Sequence, residues 1–267
     1  MSNLRYEQMT YELRGLIFDV REKLKAGWPE EVYHQGLVRL SNNRGIPLLY
    51  KPRKTVFHRG IEVHLFECDL IAWDTIILEL KVIPYATFAA WHYAQIIHYL
   101  KCWNMGLGLL VNFGHTQAEI KRVIWDEPEV TPHENYEAIT SKLAGADWVC
   151  LKQIKESLFT VGQQYGLGYP ESMLRKIVAI EANHDGLQCQ EAVEIPARIG
   201  EAVLASHASD HLLIEGKFLL SVRAMLDQPP LYEFARMKTY LNSLGLNLGL
   251  IVNFGKKQLQ IYGVNPD

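Results

Sequence analysis

The chain repeats itself at a spacing of 141 residues, and in the middle of each copy a spacing of 142 aligns better. The difference indicates one inserted residue in the second copy. A repeat this long is a whole folding unit, so we expect the same fold twice. At 267 residues with 48% hydrophobic content, the chain can bury two cores. The coinciding positions include Gly27 with Gly168, Glu30 with Glu171, Tyr99 with Tyr240 and Asn112 with Asn253.

Prolines mark the boundary between the copies. Pro128 and Pro132 lie in an acidic stretch and interrupt regular elements. We therefore expect a first domain at residues 1–127, a linker at 128–146 and a second domain at 147–267. Each copy has the pattern of two helices, two or three antiparallel strands, a further strand, a helix and a final strand pair.

Composition restricts the partners. The chain has no apolar run near the roughly 20 residues that a membrane span requires, and no charged-then-apolar leader, so we expect a cytoplasmic protein with no membrane partner. The net charge is −3 and the pI is near 6.4. These values argue against tight, non-specific binding of nucleic acid by the whole surface.

Two carboxylates and an ammonium group fall close together in the first copy. In an extended strand Glu79 and Lys81 point to the same face. Asp69 ends the preceding strand, which we expect to fold back beside Glu79. Two acidic ligands suit Mg²⁺, and Lys81 would orient an attacking water or stabilise developing negative charge. The alternative is the solvated face of an ordinary amphipathic strand.

A basic stretch precedes this cluster. It either follows a phosphate backbone, with Arg53 and Lys54 touching substrate, or is an edge hairpin protected by its charges against aggregation. Its basic residues are Arg44, Lys51, Arg53, Lys54 and Arg59.

A set of ordered motifs extends from near Tyr11 to near Trp125. The motifs are Gly27-x-x-Glu30-x-x-Tyr33, Asp69, Glu79-Leu80-Lys81, His92-x-x-Gln95, Tyr99-Leu100-Lys101 and Asn112-Phe113-Gly114. Together they resemble the GxxExxY family, a branch of the PD-(D/E)xK nuclease superfamily. The ordered set is far more specific than any single motif in it.

The resemblance implies an α/β fold, with a mixed sheet flanked by helices, present as two restriction-endonuclease-type domains in tandem. It also implies Mg²⁺ or Mn²⁺ as cofactor. The implied metal ligands are Asp69, Glu79, the Leu80 carbonyl and, directly or through water, Glu30. The other implied site residues are Lys81 and Gln95 in catalysis and Tyr33, His92 and Tyr99 at the substrate.

The second copy lacks most of this set, although Glu171 and Tyr240 persist at the Glu30 and Tyr99 positions. Clustered carboxylates repel one another and are costly once no metal is needed, so their joint loss indicates a degenerate site on a retained scaffold. The replacements are His211 for Asp69, Ser221 for Glu79, Arg223 for Lys81 and Arg236 for Gln95.

The function expected from these patterns is metal-dependent hydrolysis of nucleic acid, DNA in particular, by the first domain. The second domain would act as a structural or substrate-binding pseudo-subunit in a pseudo-dimer within one chain, with Arg223 and Arg236 meeting phosphate. Two alternatives stay open. One is a non-catalytic module that binds nucleic acid or protein, and the other is a subunit that joins further proteins in a defence or repair complex.

Overall fold

The computed structural model describes residues 6–200, 202–255 and 258–267. Within these ranges, every helix is too short or too polar to cross a bilayer. The chain divides into two compact units. The first unit contains the chain up to Val56 together with His64–Asp126, and the second contains Phe57–Val63 and Glu127–Asp267.

The first unit is a mixed five-stranded sheet with helices. The strand order is β1-β4-β5-β6-β7, in which β5 and β6 are parallel and the other neighbours antiparallel; β2 and β3 form a separate hairpin. The elements are α1 (Glu7–Leu24), α2 (Glu30–Arg44), β1 (Leu48–Tyr50), β2 (Arg53–His58), β3 (Ile61–Glu67), β4 (Leu70–Ala72), β5 (Ile76–Lys81), α3 (Ala90–Trp103), β6 (Leu107–Asn112) and β7 (Glu119–Ile124).

The second unit repeats this plan with one added edge strand. Its sheet order is β8-β15-β14-β13-β12-β9, with the hairpin β10-β11 apart from it. The elements are β8 (Pro132–Asn135), α4 (Glu137–Thr140), α5 (Gly145–Tyr165), α6 (Glu171–His184), β9 (Cys189–Gln190), β10 (Glu194–Ile199), β11 (Ala202–Ala208), β12 (Leu212–Ile214), β13 (Phe218–Arg223), α7 (Leu231–Leu244), β14 (Leu248–Phe254) and β15 (Leu259–Val264).

Both units therefore confirm the expected α/β class with a mixed sheet. Central strands β5 and β6 are almost continuously apolar and are buried along nearly their whole length, as is usual for parallel strands covered on both faces. Helix α3 makes the crossover between them. Because the carboxyl end of β5 leads into this crossover, Glu79 and Lys81 lie where strand, helix and loop meet.

The repeated Asn-Phe-Gly motif secures the loop after β5. The buried Asn112 amide accepts a hydrogen bond from the Ile83 N–H at 3.0 Å and donates to the carbonyls of Ile83 and Tyr85. Position 114 requires glycine because a Cβ there would lie 2.5 Å from the Ile83 backbone nitrogen. Asn253 binds the Met225 backbone in the same way, so this motif persists for a structural reason in both copies.

The stretch 128–146, which the prolines mark as a linker, contains β8 and α4. Strand β8 pairs in parallel with β15 and forms an edge of the second sheet. Pro132 opens that strand, a position where the missing N–H does not interrupt an interior ladder.

The turn of the β2-β3 hairpin, Phe57–Val63, belongs to the second unit. In that unit His58 Nε2 lies 2.8 Å from the buried Glu181 carboxylate, to which Arg59 donates two hydrogen bonds. The Arg59 hydrogen bonds, followed by that of His58, lower the pKa of Glu181. Glu181 is thus a buried charge with its partners in place.

Candidate metal centre

Helix α2 and the segment between β3 and β4 bring together three potential metal ligands, two carboxylates and one imidazole. Glu30 opens α2 and His34 lies one turn later, so the two side chains share a helix face. Asp69 precedes β4. One ligand atom from each of Glu30, His34 and Asp69 lies within 4.8 Å of the other two.

Asp69 is held rigidly. Its Oδ2 accepts the Leu80 N–H at 2.6 Å, which ties it to β5, and its Oδ1 lies 3.3 Å from His34 Nε2. His34 is buried, its Nδ1 lies 3.6 Å from Glu31 Oε2, and among the described residues neither ring nitrogen makes a hydrogen bond. An imidazole that lies near carboxylates without a hydrogen bond is a candidate metal ligand.

Glu79 and Lys81 form the second part of the site. Glu79 is only 1% exposed; its Oε1 accepts the Lys81 ammonium at 2.6 Å, and its Oε2 has no hydrogen-bond partner in the described structure. Burial, and next the negative charge of Asp69, raise the pKa of Glu79 to about 8, although Lys81 acts in the opposite direction. A buried carboxyl that lacks full compensation marks this strand end.

The electrostatics of the site favour a cation. The pKa of Glu30 is also raised, first by burial and then by Asp69, while Lys81 opposes the shift. The charge of Asp69 therefore destabilises the charged forms of both Glu30 and Glu79. A divalent ion between the carboxylates would reverse this effect.

The donor set fits such an ion. Carboxylates suit Mg²⁺ and Mn²⁺, whereas imidazole is a softer donor that favours transition metals. Glu30, His34 and Asp69 could hold the ion. Glu79 interacts electrostatically with Asp69 and Glu30, and its Oε2 makes no hydrogen bond in the described structure. The Leu80 peptide is fixed beside Asp69 through its N–H.

His34 was missed by the sequence analysis. The signal available was its spacing of four from Glu30, which places both on one helical face. A lone buried histidine is ordinary in a helix, and only the approach of Asp69 from another element distinguishes this one.

Gln95 and Tyr99 lie together on α3. Gln95 Nε2 donates to the Tyr99 hydroxyl at 3.0 Å. Burial, and then the negative charge of Glu79, raise the pKa of Tyr99. The spacing of four places the amide and the phenol on one face of α3, and the charge of Glu79 acts on that phenol.

Tyr33 corrects one expectation. Its side chain is fully buried and its ring stacks on Phe113 with centroids 4.5 Å apart. Its hydroxyl donates to the Lys25 carbonyl at 2.8 Å. Because its ring is enclosed and its hydroxyl is already hydrogen-bonded, Tyr33 packs the core, which argues against the expected contact with substrate.

The basic stretch is engaged with protein partners. Arg53, although largely exposed, pairs with Glu67, and Lys54 donates to the Cys102 carbonyl. The other partners are Asp19 for Arg44, Glu31 for Lys51 and Glu181 for Arg59. Most of this positive charge is thus offset by nearby carboxylates, which agrees with an edge hairpin.

The second unit holds a built-in cation at the equivalent strand end. Arg223, 3% exposed, occupies the Lys81 position and binds Asp210 at 2.6 Å, Glu233 at 2.9 Å and Glu171 at 3.5 Å. The expectation that Arg223 meets phosphate is therefore wrong, because burial and three carboxylates occupy its guanidinium. Arg236 likewise pairs with Glu233.

Comparison with known proteins follows the same division. A family model described as the PD-(D/E)XK nuclease superfamily matches residues 7–123 and again residues 149–262. No curated protein and no solved structure matches the chain.

Proposed function

Because this chain belongs to the PD-(D/E)XK nuclease superfamily, we propose that it is a divalent-metal-dependent nuclease whose first unit cuts nucleic-acid phosphodiesters. The observation that carries the proposal is the meeting of Glu30, His34 and Asp69 within 4.8 Å beside the Glu79–Lys81 pair. Within the superfamily we place the chain in the GxxExxY branch, on the motifs from Gly27 to Gly114.

Each residue has a distinct task in this proposal. Glu30, His34 and Asp69, with Glu79, would hold the ion, which would supply polarisation of the scissile phosphate and a lowered pKa of the attacking water. Lys81 supplies a fixed positive charge at the strand end, where negative charge grows in the transition state.

The helix α3 pair would position the substrate. Gln95 is hydrogen-bonded to Tyr99, which interacts electrostatically with Glu79, so we expect an amide and a phenol to be available to the attacking water or the phosphate. The imidazole of His34 leads us to expect tighter binding of Mn²⁺ than of Mg²⁺.

We propose residues 1–127 as the catalytic domain and 147–267 as a degenerate copy that serves as a structural or substrate-binding pseudo-subunit. Arg223 supports the second assignment, since its guanidinium already neutralises the carboxylates of that copy. DNA is the proposed substrate.

The test combines cleavage with metal binding. Full-length protein is incubated with labelled linear, circular and single-stranded DNA and RNA, with Mn²⁺, with Mg²⁺ and with EDTA. Asp69→Ala should abolish both cleavage and calorimetric Mn²⁺ binding. Glu30→Gln should weaken both, whereas Glu171→Gln, the same helix position in the second unit, should change neither.

The outcomes separate the alternatives. Metal-dependent cleavage lost in Asp69→Ala supports the nuclease. Mn²⁺ or nucleic-acid binding without cleavage of any substrate would favour a non-catalytic subunit. Unchanged Mn²⁺ affinity in Asp69→Ala would refute the ligand assignment.

A further inference from the structure

The first turn of α3 presents two adjacent rings of opposite exposure. Trp91 is 62% exposed, whereas His92 is only 3% exposed, and their ring centroids are 3.6 Å apart. An indole this exposed has an uncovered face, and the buried imidazole lies beneath it. The open face of the indole is a surface on which another ring can stack.

His92 is fixed as a hydrogen-bond donor. Its Nδ1 accepts the Ala89 N–H at 2.9 Å, so in the neutral ring Nε2 carries the proton. Burial, and next the charge of Lys81, lower the pKa of His92, which keeps the ring neutral. Its Nε2 is buried and lacks a hydrogen-bond partner among the described residues.

The second copy shows where this position faces. Glu233 stands at the His92 position of α7, and its carboxylate accepts the Nε of Arg223, which stands at the Lys81 position. The residue at this place on the helix therefore reaches the end of the central strand. In the first copy His92 holds the same helix position, and the charge of Lys81 acts on its imidazole.

The charges of the surrounding residues indicate that basic side chains alone would not supply the affinity for a nucleic acid. The basic residues between Arg44 and Arg59 have protein partners, and the net charge is −3. A nucleic acid bound here gains little from counterion release. Stacking of bases on aromatic rings supplies affinity by a different route.

We propose that Trp91 and His92 form a subsite for one unpaired nucleotide: its base stacks on the indole of Trp91 and an adjoining phosphate oxygen accepts the Nε2–H of His92. The inference rests on the proposed function and names its substrate class, single-stranded nucleic acid or an unpaired end. A base inside a duplex has both faces covered by its neighbours, so it cannot stack on Trp91.

Binding without cleavage tests the subsite. Fluorescence anisotropy in EDTA measures the affinity of the full chain for a labelled 12-nucleotide DNA, the same sequence as RNA, the DNA duplex, and an abasic DNA of equal length. Trp91→Ala should weaken binding to the base-bearing single strands about tenfold or more. Its affinity for the duplex and the abasic strand should be unchanged, and Trp91→Phe should retain most of the affinity.

The repeat offers a matched control. Tyr232 occupies the Trp91 position in the second unit and is also exposed. Tyr232→Ala should leave all four affinities unchanged. Because Trp91 is exposed, Trp91→Ala should keep the circular dichroism and the Tm of the parent protein.

His92 needs variants that keep its role at the helix start. Glu or Gln at this position can still accept the Ala89 N–H, as in a capping box. His92→Glu removes the hydrogen-bond donor and should weaken binding to both base-bearing and abasic strands severalfold. His92→Gln retains a donor and should bind both kinds of strand with nearly the affinity of the parent protein.

Two results would overturn the subsite. One is a Trp91→Ala protein that binds base-bearing strands as tightly as the parent, or loses affinity for abasic strands equally. The other is a His92→Glu protein with unchanged affinity. If the parent protein cleaves no substrate with Mn²⁺, the nuclease proposal is refuted. The binding differences between the variants still decide the subsite in that case.

Discussion

Replacing Arg223 by methionine should destabilise the second unit strongly at neutral pH and much less in acid. The guanidinium is 3% exposed and binds Asp210, Glu233 and Glu171. Methionine fills much of the volume but leaves the buried Glu233 carboxylate without its Arg223 hydrogen bond. Removing one partner of a buried ion pair costs about 3–5 kcal/mol.

The magnitude follows from which partners are buried. Glu171 is partly exposed and 3.5 Å away, so its share is small, whereas the buried Glu233 and the doubly hydrogen-bonded Asp210, whose share solvent reduces in part, account for most of the loss. For a unit of this size, ~3–5 kcal/mol corresponds to a fall in Tm of roughly 10–20 °C.

The pH dependence has a definite sign. The close approach of His211, whose Nδ1 lies 3.2 Å from Asp210 Oδ1, and the hydrogen bonds from Arg223 lower the pKa of Asp210. A lowered carboxyl pKa contributes stability that is present above the unfolded pKa, about 4, and is lost as the pH falls through the folded value. The difference between the parent and Arg223→Met should therefore be largest near neutral pH and shrink as the pH falls below about 4.

Calorimetry of the full chain at neutral and acid pH measures the transition that shifts. Arg175→Met is the control. Arg175 is partly exposed and makes a longer contact of 4.0 Å with Asp210, so this substitution should cost under about 1 kcal/mol. A loss below about 1 kcal/mol for Arg223→Met, or one of equal size at both pH values, would refute the view that Arg223 is a structural cation.

Substitutions at three positions of the first unit give further predictions. Lys81→Ala should keep Mn²⁺ binding but lose on the order of 10²-fold or more in single-turnover rate, and Lys81→Arg should not restore it because a planar fork replaces a compact charge; full activity in Lys81→Ala would contradict this role. His34→Ala should weaken Mn²⁺ binding by calorimetry more than Mg²⁺ binding, and equal effects on both ions would remove His34 from the ligand set. Tyr33→Phe should lower the unfolding free energy by about 1 kcal/mol through loss of the Lys25 hydrogen bond, with unchanged nucleic-acid affinity; a changed affinity would restore Tyr33 to the substrate site.

Much of the architecture was predictable from local patterns. The repeat spacing predicts two copies, and the apolar runs of β5 and β6 predict buried central strands. Alternation along β5 places Glu79 and Lys81 on one face, and their side chains meet at 2.6 Å. These features depend on residues close in sequence or on identity between copies.

Other features depended on packing between distant elements. Prolines at 128 and 132 indicate a break, yet the strand that begins at Pro132 pairs with β15, more than 120 residues later. The motif position of Tyr33 suggests substrate contact, but the stacking of Phe113 on its ring buries it.

The sequence by itself determined the duplication, the α/β class and the acidic pair with its lysine, because repeat spacing, strand alternation and helix periodicity are properties of the chain. Only the tertiary structure decided that His34 joins Glu30 and Asp69, and that Arg223 is enclosed by carboxylates rather than open to phosphate. The physical reason is that convergence of side chains from separate elements, and their exclusion from water, depends on how those elements pack, which spacing along the chain does not specify.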